Sequence, residues 1–261
     1  MIVEPVSTKG NPRAEPPAWT EDRAQQPRPS LLLCESENHG AASINLLAGL
    51  TDDEYVMVRN VSTVRHYGPG DDVFLQGDHH DGIFVILSGQ VRTYYAGPSG
   101  REITLAYWSP GNFVGGPEIF GGSPHVWSGQ AIRPTAVLHV PGRALRGLME
   151  RIPRLAVGLV EALDHKGKCY SAMIHMLGTR SAAERLAQLL ILMANLDGRK
   201  AEDGLVIGRT LTHEELAKMV GATRQWVTTT LDRFSEQGMI AMQRHRIIVR
   251  DEERLHRFAG C

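Results

Sequence analysis

Cysteine is scarce in this 261-residue chain: Cys34, Cys169 and Cys261 stand far apart and form no CxxC pair. That scarcity excludes a structural zinc site, a cysteine-ligated iron–sulfur cluster and a disulfide framework. Long hydrophobic runs are missing as well. No window approaches the roughly 18 consecutive apolar residues of a membrane-spanning helix, and the opening MIVEPVSTKGNPRAEPP lacks the charged-then-apolar layout of a secretory signal. The expectation is a cytoplasmic protein with no membrane partner. An excess of one charge is also absent, since 28 basic and 29 acidic side chains leave a net −1. Any attraction to nucleic acid must therefore come from local placement of charge.

What is present reads as two domains and a tail, because the chain is globular in composition and longer than the roughly 100–200 residues of one domain. Residues 1–43 hold six of the fourteen prolines and little periodicity, the pattern of a disordered arm. Residues 44–150 open with a short helical stretch in which Leu46, Leu47, Leu50 and Val56 recur at roughly helical spacing and Thr51 caps a second turn. From Val61 to Val140, short β-favouring runs alternate with glycine turns, as in YGPGDDVFLQGD and DGIFVILSGQVRTYY. This predicts an antiparallel sandwich or barrel. Gly97-Pro98-Ser99-Gly100 is its clearest hairpin turn, and the doubly apolar run Ile83–Leu87 belongs inside the roll.

Residues 151–178 form one long helix. Ala156, Leu159, Leu163, Lys166, Tyr170, Met173 and Leu177 recur there at alternating spacings of three and four, a heptad-like seam. Such a seam is either a core-facing stripe packed on the sheet or the contact of two parallel helices across a homodimer axis.

Residues 179–261 carry the motif that points to function. In LTHEELAKMVGATRQWVTTTLDRFSEQGMI, Thr212 and Glu215 have capping-box spacing. Ala217, Gly221 and Val227 stand at the offsets of a helix-turn-helix, and Gly238 stops the second helix. The following MIAMQRHRIIVRD supplies two short strands for a wing. Thr223 caps the second helix and sets Arg224, Gln225, Thr228 and Thr229 in its first two turns, where side chains meet base edges in a major groove. Arg233, Arg244 and Arg246 supply charge for phosphates. The fold class is thus α+β: an antiparallel, jelly-roll-like β-roll, a long helix, which the family resemblance below makes the dimerisation helix, and a C-terminal winged helix-turn-helix.

Taken in order, QGDHHDGIFVILSGQV, the hairpin into SPGNFVGG, and LTHEELAKMVGATRQWV resemble the cyclic-AMP receptor protein and fumarate–nitrate reduction regulator (CRP/FNR) family of bacterial transcription factors. The resemblance spans Leu46 to Val249. It implies an effector between roll and long helix, a homodimer through that helix, and two recognition helices on double-stranded DNA. RNA polymerase is the further partner it implies.

The resemblance also implies where the effector sits. Cyclic-nucleotide members hold their ligand with a Gly-Glu pair, an Arg-Ser pair and a Thr-Ser pair, which fall here on Gly115-Gly116, His125-Val126 and Tyr170-Ser171. The ribose carboxylate and the phosphate arginine are missing, so a buried cyclic phosphate would go uncompensated. The expectation is an effector other than cyclic AMP. A pocket of Val114, Gly115, Gly116, Pro117, His125, Val126, Tyr170 and Ser171, with Met173 and Ile174 beside it, suits an unidentified small aromatic or apolar molecule. Two alternatives stay within the family. One is a filled core that needs no effector, and the other is haem-based gas sensing through His66, His79, His80, His125 or His139, with the His79-His80 turn read as solvated. A cupin-like metalloenzyme is the remote alternative. Its His-x-His pair and following glutamate are absent here, so neither a metal site nor a catalytic residue is expected.

Overall fold

The computed structural model describes residues 45–208, 211–243 and 246–260. The arm of residues 1–43, Arg244, Cys34 and Cys261 lie outside the described residues. The first helix, α1 (Asp52–Asn60), starts directly after the expected cap Thr51, in a full capping box with the Thr51 hydroxyl accepting from the Glu54 amide and the Glu54 carboxylate accepting from the Thr51 amide. Leu46 and Val58 are buried beside it, whereas Val56 points to solvent. Val56 is a correction to the expected apolar face. On so short a helix one face is covered, and the turn before it settles which.

Eight strands follow: β1 (Thr63–Tyr67), β2 (Asp72–Phe74), β3 (Gly82–Ser88), β4 (Val91–Ala96), β5 (Glu102–Trp108), β6 (Phe113–Val114), β7 (Ser128–Ala131) and β8 (Thr135–Pro141). They form two antiparallel four-stranded sheets, ordered β1-β8-β3-β6 and β2-β7-β4-β5. The 97–100 turn joins β4 to β5. Strand β3 is buried on both faces. Its Phe84 and Ile86 meet Val73, Phe74, Val91 and Trp108 between the sheets, while Ile83 and Val85 meet Leu145, Leu148, Leu155 and Leu159 under the helices. Each such buried side chain contributes about 1.5–3 kcal/mol, so β3 anchors two cores at once.

Helix α2 (Gly142–Arg151) leads through Ile152 into the 27-residue helix α3 (Pro153–Thr179), whose proline stands in its first turn, where a missing amide hydrogen does no harm. The C-terminal part comprises α4 (Ala182–Asp197), β9 (Gly198–Ala201), β10 (Gly204–Ile207), α5 (His213–Val220), α6 (Arg224–Glu236), β11 (Ile240–Gln243), β12 (Arg246–Val249) and α7 (Glu252–Ala259). Its sheet runs β11-β12-β10-β9. Its core takes in Met173 and Met176 of α3 and Tyr107 of β5, so apolar packing is continuous from the roll into the last domain.

The structure corrects the seam on α3. Leu155, Leu159, Ala162, Lys166, Cys169, Met173 and Met176 form the buried stripe. The expected dimer residues Leu159, Lys166 and Met173 thus face the chain's own core, Tyr170 is half-buried, and only Leu163 and Leu177 reach the open side. The uncovered apolar stripe is Val157, Val160 (64% exposed), Leu163, Ile174 (71%) and Leu177, with open space around Gly167. Two heptad-like stripes share one helix, and spacing alone does not say which stripe the sheet covers.

Candidate functional site

Helix α5 begins with a complete capping box, Thr212 accepting from the Glu215 amide at 3.2 Å. It ends at Gly221, whose φ of 66° and ψ of 40° lie in the left-handed region where a β-carbon is penalised. The turn is pinned from behind by Arg185 of α4, which donates to the Val220 carbonyl at 2.9 Å. Helix α6 then starts at its cap, the Thr223 hydroxyl accepting from the Trp226 amide at 3.2 Å. Val227, Thr230, Leu231 and Phe234 face the core. Thr230 fills an apolar position without strain because its hydroxyl donates to the Trp226 carbonyl at 2.8 Å.

The opposite face is free for a partner. Thr223, Arg224, Gln225, Thr229 and Arg233 are exposed, and Thr228 is half-buried. The Thr228 and Thr229 hydroxyls donate to the carbonyls of Arg224 and Gln225 at 3.0 and 3.1 Å, and Thr228 also meets His213 Nδ1 at 2.8 Å. That leaves Arg224 and Gln225 as the long donors of the first turn with no side-chain partner among the described residues. Arg246, exposed at the start of β12, stands on the wing hairpin.

The second site is a cavity of about 190 Å³ between the roll and α3. Of the expected lining, Val114, Gly115, Gly116, Pro117 and Tyr170 are there, joined by Thr93, Trp108, Phe113, Trp127, Leu163, Lys166 and Gly167. His125, Val126, Ser171, Met173 and Ile174 are not. Val126, Ser171 and Ile174 are exposed, and Met173 packs in the C-terminal core. His125 is buried against Phe74 and His80, with ring centroids 4.4 Å from each. Burial and the neighbouring His80 push its imidazole down to about 4, so it is neutral.

His80 corrects the reading of a solvated turn: it is 1% exposed, and its Nε2 hydrogen-bonds the Gly82 carbonyl. A β-carbon on Gly116 would meet the His80 ring at 2.9 Å. The imidazole thus fills the space that a side chain at this position would enter, which is why glycine stands there.

Lys166 is the residue that spacing misassigned. Its Nζ lies 3.3 Å from the Trp108 ring centroid and 4.7 Å from that of Phe113. Burial pushes the amine down to about 7, with only the nearby Cys169 acting in the other direction. Trp108 is fixed by its indole N–H donating to the Thr93 hydroxyl at 2.9 Å. Tyr170 sits 5.7 Å from Trp127, its phenol held above its ordinary value by burial. A lysine inside an apolar stripe was the signal in the sequence for this group.

Strand β5 connects the two sites. Trp108 at one end lines the cavity, while Glu102 at the other pairs with Arg92 and with Lys218 Nζ of α5, at 3.0 Å from the latter. Arg101 donates to the Gly221 carbonyl in the helix-turn-helix bend. Burial alone would raise the Glu102 carboxyl, but hydrogen bonds from Arg92 and Lys218 outweigh it and hold the group below the usual range.

Comparison with known proteins agrees with this layout. Residues 64–152 match the cyclic nucleotide-binding domain, and residues 184–258 match the Crp-like helix-turn-helix domain. The CRP-like cAMP-activated global transcriptional regulator of Mycobacterium tuberculosis (strain CDC 1551 / Oshkosh) is 28% identical over 190 residues, 73% of this chain and 85% of that protein. The fumarate and nitrate reduction regulatory protein of Escherichia coli (strain K12) is 27% identical over 194 residues, 73% and 76% of the two chains. The solved structure of a CooA mutant from Carboxydothermus hydrogenoformans superposes with a TM-score of 0.70 at 26% identity, covering 82% of this chain and 95% of that one. A sensor-type roll joined to a helix-turn-helix defines a DNA-binding transcription regulator and not an enzyme. The chain belongs to the CRP/FNR family of bacterial transcription regulators.

Proposed function

We propose that this regulator acts in the cytoplasm as a homodimer joined along the free stripe of α3, and that its two α6 helices read an inverted repeat on double-stranded DNA. The observation that carries this reading is the exposed first turn of α6, set on a capped and core-packed helix pair. Arg224 has the planar fork that matches O6 and N7 of guanine, and Gln225 pairs with N6 and N7 of adenine, so each half-site contains adjacent G and A. Thr223 caps the reading helix, Thr228 and Thr229 border the bases, and Arg233, Arg244 and Arg246 bind phosphates. Family resemblance supports RNA polymerase as the protein partner.

The controlling effector enters the cavity at α3 and is not cyclic AMP. The support for this is chemical: Gly116 offers no carboxylate, His80 fills the space beside it, and no arginine among the described residues lines the cavity. Selection from a random duplex pool tests the DNA reading, with an inverted repeat of G-A half-sites expected. Calorimetry with cyclic AMP tests the other, and saturable binding below about 10 μM would overturn it.

A further inference from the structure

The buried stripe of α3 is apolar at every position but one. Leu155, Leu159, Ala162, Cys169, Met173 and Met176 fill core, while Lys166 in the same stripe is 9% exposed and makes no ion pair among the described residues. A core-filling role would be served by leucine or methionine. A buried ammonium without a counter-ion is a standing cost, and the faces of Trp108 and Phe113 offset only part of it. Burial pushes the amine down to about 7, and a carboxylate beside it would favour the ammonium form.

The cavity beside it fixes what can bring that charge. Its walls are the rings of Trp108, Phe113, Trp127 and Tyr170, with Thr93 as the small polar group. At about 190 Å³ it exceeds the roughly 150 Å³ that holds a benzene ring and falls short of the roughly 300 Å³ where drug-sized pockets begin. A ring with a short acidic tail fits, and a mononucleotide does not. One cation without an arginine partner neutralises a carboxylate and would leave a phosphate dianion half-compensated. We infer that this cavity binds a small aromatic carboxylate, its acid group on the Lys166 ammonium and its ring among Trp108, Phe113, Trp127 and Tyr170. The inference rests on the reading of the chain as an effector-controlled regulator and names the class of effector. Leu163 and Gly167 line the cavity and also border the free stripe of α3, so the ligand adjoins the surface on which a second copy docks.

The test titrates the purified full chain with benzoate and phenylacetate and with their neutral counterparts benzamide and phenylacetamide, following tryptophan emission and heat. The expected result is saturable binding of at least one acid, about tenfold or more tighter than its amide. Lys166→Met removes the preference for the acid, and Lys166→Arg retains part of it. The inference is overturned if acid and amide bind alike, if neither acid saturates by about 10 mM, or if Lys166→Met binds the acid unchanged. The acid–amide comparison uses the natural chain, so it stands even where a variant folds poorly. Duplex binding measured on the same preparation separates the two readings. Duplex binding without acid binding overturns only the effector class, whereas acid binding without duplex binding overturns only the regulator.

Discussion

The helix-turn-helix and the effector cavity solve opposite problems with polar groups. In α5 and α6 nearly every local donor finds its acceptor within three or four residues: Thr212 with Glu215, Thr223 with Trp226, Thr228 with Arg224. Arg224 and Gln225, which hold no side-chain partner among the described residues, are exposed. The cavity instead draws its wall from β4, β5, β6, the approach to β7 and α3, and it buries an amine that has no counter-ion among the described residues. The local polar groups of the helix-turn-helix are therefore paired without any partner. The cavity holds a buried amine that the proposed ligand would meet, and β5 runs from that cavity to the contacts with Lys218 and Gly221.

The strongest way to break this contrast is at α3. Val160→Glu puts two carboxylates on the proposed dimer axis and should weaken association about 100-fold or more while leaving the isolated helix-turn-helix fold intact. Sedimentation at micromolar concentration reads it directly. A dimer as stable as the natural one would show that the free stripe is not the interface.

Next in size is base reading. Arg224→Ala should cost about 1–3 kcal/mol of DNA affinity and relax the choice of one guanine. Arg246→Ala should weaken all duplexes alike and lower the salt slope by about one. If Arg224→Ala selects the unaltered site with unaltered affinity, α6 is not the reader.

Lys166→Met sharpens the other side of the comparison. Removing a buried, unpaired ammonium should raise stability by about 1–2 kcal/mol at pH 7, the desolvation relief being partly offset by the lost ring contacts. The sign follows from linkage. The folded amine near 7 lies below the unfolded value near 10.4, so the natural chain gains stability as pH rises from 7 to about 10. The variant should lose that slope in a thermal-melting series.

The smallest effect concerns the histidines. His125 is held neutral, its folded value near 4 lying below the unfolded one near 6.5, and burial lowers His139 as well. Below about pH 6.5 the unfolded chain binds protons that the roll refuses, so stability is lost as pH falls toward 4. The thermal midpoint should drop by about 5 °C between pH 7 and 4.5, and His125→Leu should flatten that drop. Equal slopes for the two proteins would remove His125 from the explanation.

The sequence alone determined whatever depends on neighbours three or four residues away. The Thr212–Glu215 capping box, the Thr51 and Thr223 caps, the turn at Gly221, the 97–100 hairpin and the doubly buried β3 were all legible, because helix ends, tight turns and strand alternation are local geometry. The Val114–Pro117 run and Tyr170 were legible through family motifs. Tertiary structure decided the rest. It turned Lys166 off the seam and into the cavity, brought Trp108 and Trp127 beside it across strands, and buried His80 under Gly116. It also chose which of two apolar stripes on α3 the sheet would cover. A helix repeat gives the angle between residues on one element, but which angle faces the core is set by the sheet packed against it, and that sheet is assembled from strands far apart in the chain.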